Sequence, residues 1–207
     1  MPCALAGHLC DPYNVGNLCA THTYIMRKFL ASLLEVVEVI VIAVAAVVII
    51  RMFLVQPFLV SGTSMVPNFE NGDYVLVDEL TYHIRPPERG EVVVFHDPQD
   101  YNTFFIKRII GLPGETVKIW NNTITVINKD HPDGMVLDES YLPSSTITGG
   151  SESYTLSSST YLVLGDNRPN SFDSRSWGPL PAKNVVGLVR VRLWPLTEIT
   201  AFAAPNY

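Results

Sequence analysis

The chain has 207 residues, enough for one well-cored domain of about 150 residues plus an appendage and too few for two full domains. Its 14 Lys and Arg against 20 Asp and Glu leave a formal charge of -6, which repels phosphate backbones and excludes a basic nucleic-acid-binding stripe. Ahead of Val60, Arg27, Lys28 and Arg51 balance Asp11, Glu35 and Glu38, so the whole negative excess belongs to the remainder.

Residues 1 to 23 are mixed and polar, without periodicity, and read as a short tail. Cys3, Cys10 and Cys19 all lie before the apolar segment that follows, so the domain beyond it cannot depend on disulfides. Their spacing is too wide for the close pairs that bind zinc, and His8, His22, His83, His96 and His131 are scattered without ligand spacing. No metal and no organic cofactor are expected.

From Phe29 to Val55 the sequence is almost wholly apolar, and Val36 to Val55 supplies the roughly 20 residues that a bilayer core requires of a helix. Glu38 and Arg51 then fall near the two interfaces. The β-branched residues sit on every face, leaving no polar stripe for a soluble core helix. The run is longer than a signal-peptide apolar region and no small-x-small site follows it, so it is expected to remain as an anchor. Arg27 and Lys28 flank its start, which by the positive-inside rule leaves the N-terminus in the cytoplasm and carries the main domain across the membrane. The expected plan is a cytoplasmic tail over 1–28, one transmembrane helix over 29–55 and an extracytoplasmic β-rich domain over 56–207.

After the anchor, strand-length runs rich in Val, Ile, Phe and Tyr alternate with turn residues. They are Tyr74–Val77, Glu91–Phe95, Phe104–Ile110, Thr116–Trp120, Thr123–Ile127, Tyr161–Leu164 and Val185–Leu193. Asn71-Gly72-Asp73, Arg85-Pro86-Pro87, Leu112-Pro113-Gly114, Asn121-Asn122 and Asp133-Gly134 punctuate them. This spacing predicts a mostly β, antiparallel domain with little helix outside the membrane. Ser144 to Ser159 reads as a surface loop.

Two residues could carry chemistry. Ser64, in Ser61-Gly62-Thr63-Ser64-Met65-Val66-Pro67, is either a nucleophile or an ordinary turn serine, and a serine hydroxyl needs a base to become reactive. Lys107 lies inside the apolar run Phe104–Ile110, and in a strand it shares a face with Phe105 and Ile109. Burial there lowers a lysine pKa and frees the neutral amine as a base. The alternative is an edge-strand lysine that guards against aggregation.

These segments, in order, resemble the bacterial type I signal peptidases, a family of membrane-bound Ser/Lys peptidases. The similarity begins in the anchor, continues through Ser61–Phe69, Gly72–Val77 and Arg89–Phe95, and includes Ile106–Glu115 and Gly165–Gly178. The resemblance implies a nucleophile at Ser64 and a general base at Lys107. It implies that Ser171 hydrogen-bonds the lysine amine, and that Asp173 and Arg175 form a charge pair bracing the site. Gly165-Asp166-Asn167-Arg168 reads as a supporting turn. The Ser64 N–H would be one oxyanion donor, while Gly62 stands where some relatives carry a second donor, a serine.

The implied activity is removal of signal peptides from exported preproteins, after small-x-small sites of the Ala-x-Ala kind, at a bacterial plasma membrane and close to the export machinery. The implied partners are signal peptides, held extended against a sheet edge, and the lipid bilayer. Met65, Phe58, Leu59 and Val60 are candidate pocket walls, and the last three suit a bilayer interface equally well. Trp120, Trp177 and Trp194 could belong to that interface or to the core.

Overall fold

The computed structural model describes residues 12–53, 55–202 and 204–205, with side chains described from residue 27 onward except 49–55. Cys3, Cys10 and His8 lie outside the described residues, as do the side chains of Cys19 and His22. The chain divides into two compact units, Met1–Ile50 and Arg51–Tyr207.

One long helix, α1, runs over Pro12–Phe53, 42 residues. Within it Arg27–Val48 is 22 residues long and apolar enough to cross a membrane, and none of it is buried. At about 1.5 Å per residue this stretch measures roughly 33 Å, close to the roughly 30 Å of a bilayer hydrocarbon core. Phe29, Leu34, Val39 and Ile42 are each more than 60% exposed, so the helix is bare where a soluble core helix would be covered. The helix also takes in residues 12 to 23, which the sequence reads as an irregular tail. Proline at the first helical position costs no hydrogen bond, and extending a formed helix is far easier than nucleating one.

The second unit is built of antiparallel strands. In chain order these are β1 (Val55–Leu59), β2 (Tyr74–Asp78), the short helix α2 (Thr81–Ile84), β3 (Val92–His96), β4 (Phe104–Gly111), β5 (Thr116–Trp120) and β6 (Thr123–Ile127). They continue with β7 (Met135–Val136), β8 (Glu152–Thr155), β9 (Thr160–Leu164), the one-turn helix α3 (Ser174–Trp177), β10 (Leu180–Pro181), β11 (Val185–Trp194) and β12 (Thr200–Ala201). The larger sheet has the order β1-β2-β11-β3-β4-β9-β10, with β12 on β11, and the smaller has the order β7-β6-β5-β8.

The period of the sequence explains most of this. In β6, Ile124 and Val126 point into the core while Thr123, Thr125 and Ile127 are half-covered on the other face, the alternation of a sheet with one wet side. β4 differs: from Lys107 to Gly111 every residue is buried, because it lies between β3 and β9 and is covered on both faces. Phe105 and Ile109 pack with Val93, Phe95 and Val163, whereas Ile106 packs with Val75, Val77 and Val94.

Two segments depart from the sequence expectation. Residues 152–155 form β8 within the stretch expected as loop, pairing Thr155 with Thr116 and Tyr154 with Val117. A ladder is made of main-chain bonds, so a Ser/Thr-rich segment can supply it where a neighbour offers an open edge. Val55, the expected last residue of the span, instead begins β1, which pairs with β2 as an edge strand that tolerates Pro57. Of the three tryptophans, Trp177 packs on Phe95 at 5.9 Å between ring centroids. Trp120 and Trp194 are 68% and 52% exposed.

Candidate active site

The site starts where β1 ends. The chain turns through residues 61–67 and is fastened at its base by Val60 N–H to Asp73 O at 2.8 Å and Gly72 N–H to Val60 O at 2.9 Å. Met65 and Phe69 plug the underlying core at 1% and 0% exposure, so the turn is held from below while Ser64 is half-buried at its surface. Met65, a candidate pocket wall in the sequence, is therefore a core residue. Burying its whole side chain is worth about 2 kcal/mol, and a cleft position would forfeit that. Gly62 has φ +98°, a left-handed conformation that glycine adopts without strain, and its N–H donates to Asn71 Oδ1 at 2.9 Å.

Lys107 comes up from the middle of β4, 3% exposed, opposite Val93 in the ladder. Its Nζ lies 2.7 Å from Ser64 Oγ and donates to Ile106 O at 2.9 Å. The Phe105 ring centroid is 5.4 Å away, and no carboxylate among the described residues forms an ion pair with the amine. Burial in this apolar setting lowers the lysine pKa to about 8, with the charges of Asp173 and Asp166 opposing only part of the effect. An unpaired amine with this pKa is substantially neutral near pH 8, and its lone pair can then accept the Ser64 hydroxyl proton.

The opposite wall is the segment Gly165–Arg175, which follows β9 directly. It is more than a plain turn. Asp166 receives Arg108 Nε at 2.9 Å and Nη2 at 2.6 Å, plus Asn68 Nδ2 at 2.8 Å. Arg168 is 1% exposed and donates to Glu139, to Thr148 Oγ1 at 2.8 Å, to the Tyr141 hydroxyl at 2.9 Å and to Gly165 O at 3.0 Å. Arg168 and Asp166 are thus closed into hydrogen-bonded ion pairs in the interior, the condition under which burying charge is tolerable. A side chain at Gly165 would sit 2.2 Å from Ser171 Oγ and 2.4 Å from Ser64 O, so the close approach of this wall to Ser64 requires glycine.

Asp173 and Arg175 form a two-point pair, Nη2 to Oδ2 at 2.7 Å and Nε to Oδ1 at 2.8 Å. The carboxylate also accepts the Gly165 N–H at 3.0 Å. Burial pushes the Asp173 pKa up, but the Arg175 and Gly165 hydrogen bonds and the Arg175 charge outweigh it and hold the group below the ordinary carboxylate range. Ser171 Oγ is buried, and the bond to the lysine amine implied by the resemblance is not formed in this structure. The amine instead spends a donor on Ile106 O.

Beside Ser64 and Lys107 opens a cleft of about 330 Å³. Its apolar lining includes Phe58, Val75, Val94, Phe104, Phe105 and Phe172. Phe58 meets Phe104 edge to face at 5.3 Å, and Phe105 meets Phe172 at 6.5 Å. Sequence reasoning passed over Asn68, Glu139, Tyr141 and the depth of Arg168. The signal available was the position of Asp166-Asn167-Arg168 one residue beyond the core strand Tyr161–Leu164, where charges follow closely onto buried backbone.

A serine hydroxyl against a buried amine in an apolar cleft is the arrangement of a serine hydrolase. The family model described as signal peptidase, peptidase S26 matches residues 33–194, and the chain belongs to that family of serine endopeptidases. A signal peptidase I of Leptolyngbya laminosa is 35% identical over 183 residues, covering 84% of this chain and 86% of its own length. Signal peptidase IB of Staphylococcus aureus is 33% identical over 178 residues, covering 81% and 92% respectively. A crystal structure of a signal peptidase I from Enterococcus faecalis V583 aligns with 51% of this chain and 97% of its own, with 29% identity and a TM-score of 0.43.

Proposed function

We propose that the chain is a membrane-anchored endopeptidase that removes signal peptides from exported preproteins by a Ser64/Lys107 mechanism. The observation that carries this reading is the buried Lys107 amine, unpaired by any acid among the described residues and 2.7 Å from Ser64 Oγ. Neutral Lys107 takes the hydroxyl proton as Oγ attacks the scissile carbonyl carbon, and the carbonyl electron pair moves onto oxygen. The Ser64 N–H is the oxyanion donor. As the tetrahedral intermediate collapses, the C–N bond breaks and the Lys107 ammonium protonates the departing amine. Lys107 then activates a water that hydrolyses the Ser64 ester and releases the signal peptide.

Asp173, bonded to Arg175 and to the Gly165 N–H, keeps the Gly165 wall against the nucleophile. Ser171 closes the same wall beside Gly165. The cleft is lined by the rings of Phe58, Phe104, Phe105 and Phe172 together with Val75 and Val94, and this apolar lining favours small aliphatic side chains one and three residues before the cleaved bond. An extended peptide fits beside β1, whose outer edge is open.

The domain plan that goes with this reading is a cytoplasmic segment over 1–28, a span that begins at 29 and ends before β1, and a catalytic domain from β1 onward outside the cytoplasm. The bilayer surrounds the span, and the export machinery delivers the substrates nearby. The test uses the full chain in detergent with a preprotein bearing an Ala-x-Ala site, the cleavage position being read by mass spectrometry. Cleavage after the second alanine is expected from the native chain and none from Ser64→Ala. Undiminished cleavage by Ser64→Ala would overturn the reading.

A further inference from the structure

The Ser64 N–H belongs to the same planar peptide as the Thr63 carbonyl, so whatever holds that carbonyl also aims the N–H. Asn167 holds it. Its Nδ2 donates to Thr63 O at 3.0 Å, and its main-chain N–H donates to Ser64 O at 2.9 Å, so one residue grips the peptide planes on both sides of the Ser64 Cα. A carbonyl accepts only from a donor, which fixes the orientation of the Asn167 amide. Among the described residues Thr63 O otherwise receives only the Val66 N–H of its own turn, at a longer 3.3 Å. Among the described residues the Ser64 N–H itself makes no hydrogen bond.

The turn has reason to need an outside brace. Ser61, Gly62 and Thr63 are exposed, and Gly62 brings the backbone freedom of a residue without a side chain. No side-chain hydroxyl stands at position 62, which leaves more of the oxyanion stabilisation to the backbone donor. Asn167 is itself anchored from the far side: its neighbours Asp166 and Arg168 are both fixed by buried ion pairs. The brace therefore connects a rigid wall to a pliable turn.

We propose that Asn167 is a positioning residue that aims the Ser64 N–H at the oxyanion formed during peptide cleavage. This rests on the Ser64/Lys107 reading. A preorganised oxyanion donor contributes through its direction, and complete loss of one costs roughly 10² to 10³ in kcat. Loss of its brace should cost less, about tenfold.

The experiment measures kcat and KM for the native chain, Asn167→Ala and Asn167→Asp with a fluorogenic Ala-x-Ala peptide. It also measures inhibition by the matching peptide aldehyde. Addition of Ser64 Oγ to the aldehyde carbon, with its proton passing through Lys107 to the new oxygen, places that oxygen where the oxyanion forms. Both variants should lose about tenfold in kcat with KM within about twofold, and aldehyde affinity should fall by a similar factor. In a Ser64→Ala background, binding of the substrate peptide should be the same with and without Asn167→Ala. Asn167→His, whose Nδ1–H can reach the same carbonyl, should recover part of kcat.

Native kcat in Asn167→Asp, or a loss confined to KM and peptide binding, would overturn the proposal. If Asn167→Ala does not fold, Asn167→Asp decides, because it keeps the shape and removes the donor. Failure of the underlying reading has a separate signature, cleavage that survives Ser64→Ala.

Discussion

Strands β4 and β5 are neighbours in sequence, separated only by the turn after Gly111, and each carries a lysine in an aliphatic run: Ile106-Lys107-Arg108 and Val117-Lys118-Ile119. Their fates differ. β5 alternates, with Val117 and Ile119 buried and Lys118 exposed, while β4 is buried from Lys107 to its end. β5 lies in a four-stranded sheet with one face open, and β4 lies inside the larger sheet with core on both faces. A strand's own residues thus choose which side chains share a face, but the layers packed on it choose whether a face is wet. The same ammonium group is a solvated charge on one strand and a perturbed amine on the other.

Exchanging both lysines for methionine should give the largest contrast. Lys107→Met should keep the fold and lower preprotein cleavage by roughly 10³-fold or more, since it removes the proposed base, while Lys118→Met should stay within about twofold. Equal activity of the two variants in a single-turnover cleavage assay would break the comparison.

Stability sharpens it in the opposite sense. The Lys107 pKa falls from 10.5 in the unfolded chain to about 8 in the folded one, so below pH 8 both states are protonated and folding bears the full cost of a buried ammonium, about 3 kcal/mol. As pH rises from 8 toward 10.5 the folded amine sheds its proton first and that cost fades. Lys107→Met should therefore raise the thermal midpoint at pH 7, and its advantage should shrink at pH 10. Cleavage by the native chain should increase up to about pH 8 and then level off, because only the neutral amine can accept the hydroxyl proton. A flat rate between pH 6 and pH 9 would contradict a lysine base.

The smaller effects concern ion pairs in the two surroundings. Arg175→Ala leaves Asp173, fully buried, without its partner, and should cost about 3 kcal/mol in chemical denaturation. Arg190→Ala breaks a pair with Asp78 in which the arginine side chain is 46% exposed, and should cost under about 1 kcal/mol.

The local record in the sequence was substantial. The apolar run around Val36–Val48 and the seven aliphatic or aromatic strand runs are readable because helix and strand periods are set by neighbouring residues. Ser64 and Lys107 were readable as candidates by residue type and setting. β8 was not, because Glu152-Ser153-Tyr154-Thr155 has no apolar period and forms a strand only on the edge that β5 presents. Gly165-Asp166-Asn167-Arg168 looked like turn chemistry, since Gly, Asp and Asn are turn formers wherever they fall. Its ion pairs run to Arg108 and Glu139, and nothing nearby in the chain announces either partner.

What the sequence by itself determined is the order of elements, one helix long and apolar enough to span a bilayer ahead of an antiparallel β domain, and the alternation that puts Phe105, Lys107 and Ile109 on one face. Only the tertiary structure decided that Lys107 is dry, that its amine stops 2.7 Å from a serine 43 positions earlier, and that the wall around Asn167 closes on that serine's peptide planes. The reason is physical: periodicity is a property of adjacent residues, whereas exclusion of water from an amine requires layers that come from distant parts of the chain.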